Sequence, residues 1–523
     1  MRQNFIKLRL ASAAFLLLSV LFSGCAHIEK PDFKNNILNH ENTLIVGTDS
    51  DPHSLLPFEN ASHQFERIAN CCYEMLVRTN LDGTVSPWVA KSWKATAGGM
   101  YFYINKGINF QDGTPCDAEA VAWNMRKWGR YDAVTASTPC SWDKACAVDE
   151  YTVFLPYEEY HNEILINMGC ANFMLVSPTA YEADAESLKM NPVGTGPFRV
   201  AEYKQDDHIL LERFDGYWKP QDVHLDYIEF KFINSQTEQF NALESGRIDV
   251  ACDISYEDLG RCSLNDELDV WYFQPCVVDS LWFNCINDTF KDERVRKACA
   301  YAINLKEIWQ KAYYGLSQVC FGPATSDTYG YDPSYDFENW PYEWDDSDYI
   351  KCQELLEEAG YPDGLDVTLR IDRSDARTKV AEIIAEQLTA CNIRTTVISD
   401  EYSATQANIF SGNFEMALNG SATNGTVAKT LYERYSAALA YPGSFSFSKW
   451  DEPRVDELLR KASKAINKER MLGYYKEIAK LYTEEVPAIA YWERLNCCVS
   501  SKRVKGVKVL VEPVNLSNVY FKK

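Results

Sequence analysis

The sequence predicts an α/β protein of two lobes, and three observations carry that expectation. The chain has 523 residues, too many for one compact core. Residues 226–253 alternate strand, helix and strand. Residues 350–420 repeat that alternation much later in the chain, and elements in this order build sheets covered by helices. With 46% hydrophobic and 13% aromatic residues, the chain has enough apolar surface to fold and is not disordered.

The first residues stand outside the fold. A basic start (Arg2, Lys7, Arg9) leads into an apolar run from Leu10 to Phe22, then Ser23-Gly24-Cys25. That order reads as an export signal. The run is too short and wrongly flanked for a membrane span. The Ser-Gly-Cys ending resembles a bacterial lipobox, with Phe22 where Leu is usual. The resemblance implies that residues 1–24 are removed and Cys25 is lipidated. Residues 25–41 are polar and unpatterned, as expected of a tether to the membrane. Cleavage before Cys25 removes three positive charges and takes the formal net charge from −23 to −26. Such an acidic chain repels phosphate backbones, so nucleic acid is excluded as a partner.

The elements then follow in order. Leu44-Ile45-Val46-Gly47 is a short apolar strand, followed by the turn-rich Thr48-Asp49-Ser50-Asp51-Pro52. Loops that follow a strand often present groups to a ligand, which makes Asp49, Ser50 and Asp51 candidates. Residues 100–104 are aromatic and strand-like, Asp112-Gly113 is a turn, and Asp117 suits an N-cap for a helix Ala118–Trp128. Tyr227–Ile233 is a strand. Ser235 and Glu238 form a capping box for a helix that stops at Gly246, before strand Ile248–Ala251. In the second set, helix Ile350–Ala359 stops at Gly360 and strand Val367–Ile371 follows. Helix Ala376–Cys391 carries Val380, Ile383, Ile384, Leu388 and Cys391 at helical spacing. Strands Thr395–Ile398 and Phe414–Leu418 come next, then amphipathic helices at 454–466 and 469–484. Pro487 ends the last helix, and strands 489–492 and 507–511 close the chain.

Catalytic patterns are absent. The seven histidines all lie at or before residue 224, without metal-ligand spacing. There is no HExxH, CxxC, GxSxG or P-loop. Ser141-Trp142-Asp143-Lys144 matches SxxK in two positions, but nothing accompanies it. No enzyme activity, metal or cofactor is therefore expected. Of the 17 cysteines, Cys71-Cys72 and Cys497-Cys498 are adjacent, while Cys299 and Cys391 sit on apolar helix faces. This pattern suggests mostly free buried thiols, with Cys140 and Cys146 the best-placed local pair for a bridge.

Several segments together resemble a family. Trp88-Val89-Ala90-Lys91-Ser92-Trp93 leads to the run from Tyr101 to Gly113-Thr114-Pro115, and Asp117-Ala118-Glu119-Ala120-Val121 continues it. Pro192-Val193-Gly194-Thr195-Gly196-Pro197-Phe198, Gly216-Tyr217-Trp218, the run from Ala242 to Asp249 and the run from Val295 to Ile303 follow in order. The set resembles the family 5 extracellular solute-binding proteins, the peptide- and nickel-type receptors of ABC importers. The resemblance implies a type II periplasmic-binding-protein fold: two α/β lobes joined by a hinge, with a subdomain inserted in the first. It places 42–80, 195–286 and 490–523 in lobe I, 81–194 in the inserted subdomain and 287–489 in lobe II. It further implies a monomer with a small polar solute in the cleft, peptides among the candidates, and an ABC permease as partner.

The ligand loop departs from the family. Peptide-binding members carry Trp and Asp after the last strand of the second lobe, and one Asp pairs with the peptide ammonium. Here Leu418-Asn419-Gly420-Ser421-Ala422-Thr423-Asn424-Gly425-Thr426 has neither. A neutral amide or hydroxyl lacks the charge that makes such a bond strong. Either the ammonium is not recognised in the usual way, or Asp400 or Asp451 supplies the charge in a shifted alignment. The candidate cleft residues are Asp49, Ser50 and Asp51, Trp282 and Asn284 of the hinge strand, and Asn419, Ser421, Thr423 and Asn424, with Tyr402 and Trp492 offering ring faces. The rival readings are a solute sensor of the same fold and a lipid-anchored hydrolase.

Overall fold

The computed structural model describes residues 42–522 apart from 59–61, 81–83, 131–139, 159, 162–163, 253, 274–276, 317–318, 327–330, 332–339, 343–345, 423–426, 466, 495, 508–515 and 517. The signal segment, Cys25, the tether, Thr423, Asn424 and most of the expected strand 507–511 lie outside the described residues.

Two large sheets organise the chain. The seven-stranded sheet runs, edge to edge, through strands 268–273, 496–501, 250–251, 43–48, 227–232, 208–213 and 198–204. The expected strand–helix–strand unit is here. Tyr227–Phe232 and Val250–Ala251 both run parallel to Thr43–Thr48, one on each side of it. Between them the helix Gln236–Glu244 starts at Ser235, whose side chain accepts the Glu238 amide. Its chain reverses at Gly246 with φ +71°, a left-handed conformation that costs glycine little. The five-stranded sheet runs through 393–400, 365–372, 416–422, 277–283 and 488–493. A four-stranded sheet, 90–96, 99–104, 152–156 and 146–149, forms within the expected subdomain segment.

The apolar core divides the same way. One cluster joins Leu44 and Val46 to Phe102, Val153, Ile228 and Cys498, so the four-stranded sheet shares its core with the seven-stranded one. The second large cluster draws its fully buried residues from between Leu281 and Trp492. Strand Val277–Phe283 is buried along its whole length, as expected of a strand flanked on both sides by partners. It pairs with 416–422 and 488–493. The sheet-to-sheet crossings therefore fall between Phe273 and Val277 and between Glu493 and Asn496, not at the expected 286 and 489. Strand Met416–Ala422 also runs further than expected, so Asn419 and Ser421 are strand residues, not loop residues.

The family-like motifs meet at one buried carboxylate. Glu74 accepts from Trp88 Nε1 at 2.8 Å, Tyr217 Oη at 2.9 Å, Trp218 Nε1 at 2.8 Å and Thr195 Oγ1 at 3.0 Å. Gln111 ties the same region together, donating to the carbonyls of Cys72, Gly196 and Phe198. A Cβ at Gly194 would sit 2.4 Å from the Cys72 carbonyl oxygen, so the turn can approach this chain only as glycine.

No cysteine among the described residues is bridged. The expected Cys140–Cys146 pair is not a bridge. Ser141, next to Cys140, bonds the Pro156 carbonyl, whereas Cys146 pairs with Phe154. The two cysteines thus dock at different points along strand 152–156. Burial accounts for most of the other thiols.

Candidate functional site

The loop after the first strand is folded onto its own lobe. Asp49 accepts two bonds from Gln64 Nε2, at 2.8 and 2.7 Å. Asp51 is buried and accepts from Tyr203 Oη at 2.8 Å and the Asp206 amide at 3.0 Å. It therefore clamps the loop to the hairpin 198–213. Asp51, His53 and Asp206 offer oxygen and nitrogen atoms within 4.8 Å of one another, but the Asp51 carboxylate is already engaged by protein donors. Ser50 is half-buried beside them.

The candidates at 282, 284, 419 and 421 share one strand face. Trp282 is fully enclosed, stacked on Tyr435 at 5.5 Å and edge-on to Phe447 at 5.1 Å, with Nε1 on the Asn419 carbonyl. It is a core residue and not a cleft residue. Asn284 is also buried, donating to the carbonyls of Gly412 and Phe414; it holds a loop. Asn419 forms a reciprocal amide pair with Gln406, and Ser421 accepts from Arg434 Nε at 3.1 Å. Both are buried in the second lobe. Tyr402 is 63% exposed at the start of helix Tyr402–Ser411. Asp400 does not offer a spare charge, because Arg370 holds it.

The opposite face of the same strands carries the charge that sequence reading missed. Strand pairing sets Asp279 opposite Gly420 on one side and Trp492 on the other. Asp279 is buried. Its Oδ1 accepts from Arg494 Nη2 at 2.9 Å and Arg377 Nη2 at 3.3 Å. Its Oδ2 accepts from Arg494 Nε at 3.2 Å. Arg377 in turn pairs with Asp372. Burial alone would push the Asp279 carboxyl up, but Arg494 and Arg377 more than offset it and hold it below the usual carboxylate range. A Cβ at Gly420 would lie 2.9 Å from Arg494 Nη2 and 3.0 Å from Asp279 Oδ1, so the guanidinium lies directly over that glycine.

Aromatic rings close this spot. Trp492 is stacked on Tyr313 with centroids 3.8 Å apart, and Tyr256 meets Trp492 edge-on at 5.2 Å. Tyr256 begins the helix Tyr256–Leu264, whose Leu259 packs with strands of the seven-stranded sheet, yet its ring packs against the second core. Arg494, Trp492 and Tyr256 therefore sit where the two sheets meet. Of the expected cleft residues, Trp492 belongs to this cluster, and Gly420 brings the neighbouring part of strand 416–422 to it.

Residues 84–441 match the model of the bacterial extracellular solute-binding proteins, family 5. The chain belongs to that family. It is a binding protein and not an enzyme. Its relatives include the glutathione-binding protein GsiB of Pectobacterium atrosepticum, 24% identical over 482 residues, covering 89% of this chain and 91% of the relative. Among solved structures, the Helicobacter pylori periplasmic binding protein DppA in complex with the peptide STSA superposes with TM-score 0.79 at 22% identity, covering 92% of this chain and 98% of that one. A dipeptide-binding protein from Pseudoalteromonas in complex with Met-Leu gives TM-score 0.79 at 21% identity, covering 92% of this chain and 100% of that one. The solute-binding chain thus has the type II periplasmic-binding-protein fold. No helix among the described residues is long and apolar enough to cross a membrane.

Proposed function

We propose that this family 5 protein is the receptor of an ABC importer. It captures a small polar, peptide-like solute between its lobes and passes it to a membrane permease. The observation that carries this reading is the junction of the two sheets. Among the described strands the chain passes from one sheet to the other after Phe273 and back after Glu493, and Asp279, Arg494, Trp492 and Tyr256 gather near those points. Two rigid sheets joined by short crossings suit hinged closure on a ligand, and a cleft of this kind buries most of a small molecule. Lobe I would comprise the seven-stranded sheet with the four-stranded subdomain, and lobe II the five-stranded sheet. Relatives named for glutathione or crystallised with peptides support a peptide-like solute.

The Ser23-Gly24-Cys25 ending supports a receptor anchored through Cys25 on the outer face of the membrane. The test is native mass spectrometry of the purified protein, which should show a bound small molecule at one per chain. Steady conversion of peptides or esters to products would instead support a hydrolase. Incorporation of a labelled fatty acid, abolished in Cys25→Ala, tests the anchor. Loss of solute uptake on deletion distinguishes importer from sensor.

A further inference from the structure

We propose that Tyr256 and Leu316 form a latch between the lobes, each seated in the apolar core of the opposite lobe, and that this latch biases how far the lobes stand apart before any solute arrives. The inference rests on the two-lobe receptor reading above and adds a control on its closure. Tyr256 starts the helix Tyr256–Leu264, which falls in chain order between strands 250–251 and 268–273 of the seven-stranded sheet. Its ring nevertheless packs on the core of the second lobe, edge-on to Trp492 at 5.2 Å and to Tyr313 at 6.0 Å. Leu316 does the reverse. It follows the second-lobe helix Leu305–Tyr313, yet it packs against the cluster that holds Ile45, Phe240, Leu259 and Cys497. Those residues belong to the seven-stranded sheet and its helices.

The turn before Leu316 sets its direction. Tyr314 and Gly315 are both left-handed, with φ +55° and +69°. The Gly315 amide donates to the Trp309 carbonyl at 3.0 Å and the Leu316 amide to the Tyr313 carbonyl at 2.9 Å. A tyrosine in this conformation persists only where its surroundings fix it. Here the Leu316 carbonyl is held twice, by Trp309 Nε1 at 3.1 Å and by Trp492 Nε1 at 3.3 Å. Trp492 lies on strand 488–493, just before the chain returns to the other sheet. The Leu316 backbone is thus tied to the second lobe beside the hinge, while its side chain sits in the first. Lobes that change their separation must withdraw both side chains from apolar contact. Withdrawing one half-buried side chain weakens the latched arrangement about tenfold. A bias set before binding fixes the fraction of receptor competent to bind, and apparent affinity scales with that fraction.

The test reads lobe separation without a ligand. Two dyes are placed on non-canonical residues at exposed Lys94 of the four-stranded sheet and exposed Ile350 of the second lobe. Single-molecule energy transfer then reports the distance between them in the purified protein. Leu316→Ala and Tyr256→Leu cut the latch from opposite sides, so one folded variant suffices. Each should raise the minor population of inter-lobe distances about tenfold over the parent, and the pair together about a hundredfold. Leu264→Ser, at the exposed end of the same helix, should leave the distribution as it is. Urea unfolding identifies the folded variants. A folded Leu316→Ala or Tyr256→Leu protein whose distance distribution superimposes on the parent's overturns the latch, as does an equal shift in Leu264→Ser. The receptor reading is tested by its bound solute, so the two fail independently.

Discussion

Replacing Glu74 with leucine removes the acceptor on which Trp88, Trp218, Tyr217 and Thr195 converge. Tyr217 and Thr195 are buried, so their hydroxyls have no water to turn to. A buried donor left unpaired costs about 1–3 kcal/mol. The indole donors are only partly buried and recover part of their loss from solvent. Relief of the burial penalty on the carboxylate offsets some of the remainder. The expected net loss is about 3 kcal/mol. Glu74→Gln keeps one acceptor oxygen but turns an amide NH2 toward the other donors, so about half that loss is expected. The assay is urea unfolding followed by tryptophan fluorescence, to which Trp88 and Trp218 contribute among the 13 tryptophans. A Glu74→Leu protein within about 1 kcal/mol of the parent would refute the idea that this carboxylate holds the motifs together.

Three other outcomes are expected. Because Arg494 and Arg377 hold Asp279 below the usual carboxylate range against burial, the unfolded chain takes up the proton first. The stabilisation is full above about pH 4 and is lost as pH falls through the folded value; Asp279→Asn should flatten urea midpoints measured across that acid range, and an unchanged slope would contradict the assignment. Gly420→Val puts carbon 2.9 Å from Arg494 Nη2 and 2.8 Å from Val277, and should destabilise by about 1–3 kcal/mol in the same unfolding assay. Maleimide labelling with peptide mapping should modify Cys146, the exposed thiol among the described residues, well before buried Cys299, Cys352 or Cys391.

Much of the fold could be read from the chain because the signals were local. Asp117 caps helix Ala118–Trp128 by accepting the Ala120 amide, and Ser235 caps the next unit in the same way. These bonds span three residues, so adjacent letters suffice to foresee them. The motif order pointed to the family for a related reason. Trp88, Thr195, Tyr217 and Trp218 are required by a shared acceptor, though the acceptor itself, Glu74, looked like any other acidic residue in the list.

The site was harder to read. Trp282 and Asn284 lie in or just after a strand that crosses near the hinge, and sequence could not say that this strand is buried on both faces. Asp279, three residues earlier, looked unremarkable because its partners Arg377 and Arg494 lie 98 and 215 residues away.

The sequence by itself determined that strands and helices alternate in both halves, where the capped helices start, the family, and the absence of a metal or catalytic motif pattern. Those follow from hydrophobic period, caps and motif order, all short-range along the chain. Only the tertiary structure decided which face of strand 277–283 meets the junction, that both crossings lie next to Asp279, and that Gly420 leaves room for Arg494. Register between distant strands sets those relations, and a shift of one residue would turn every side chain to the other face.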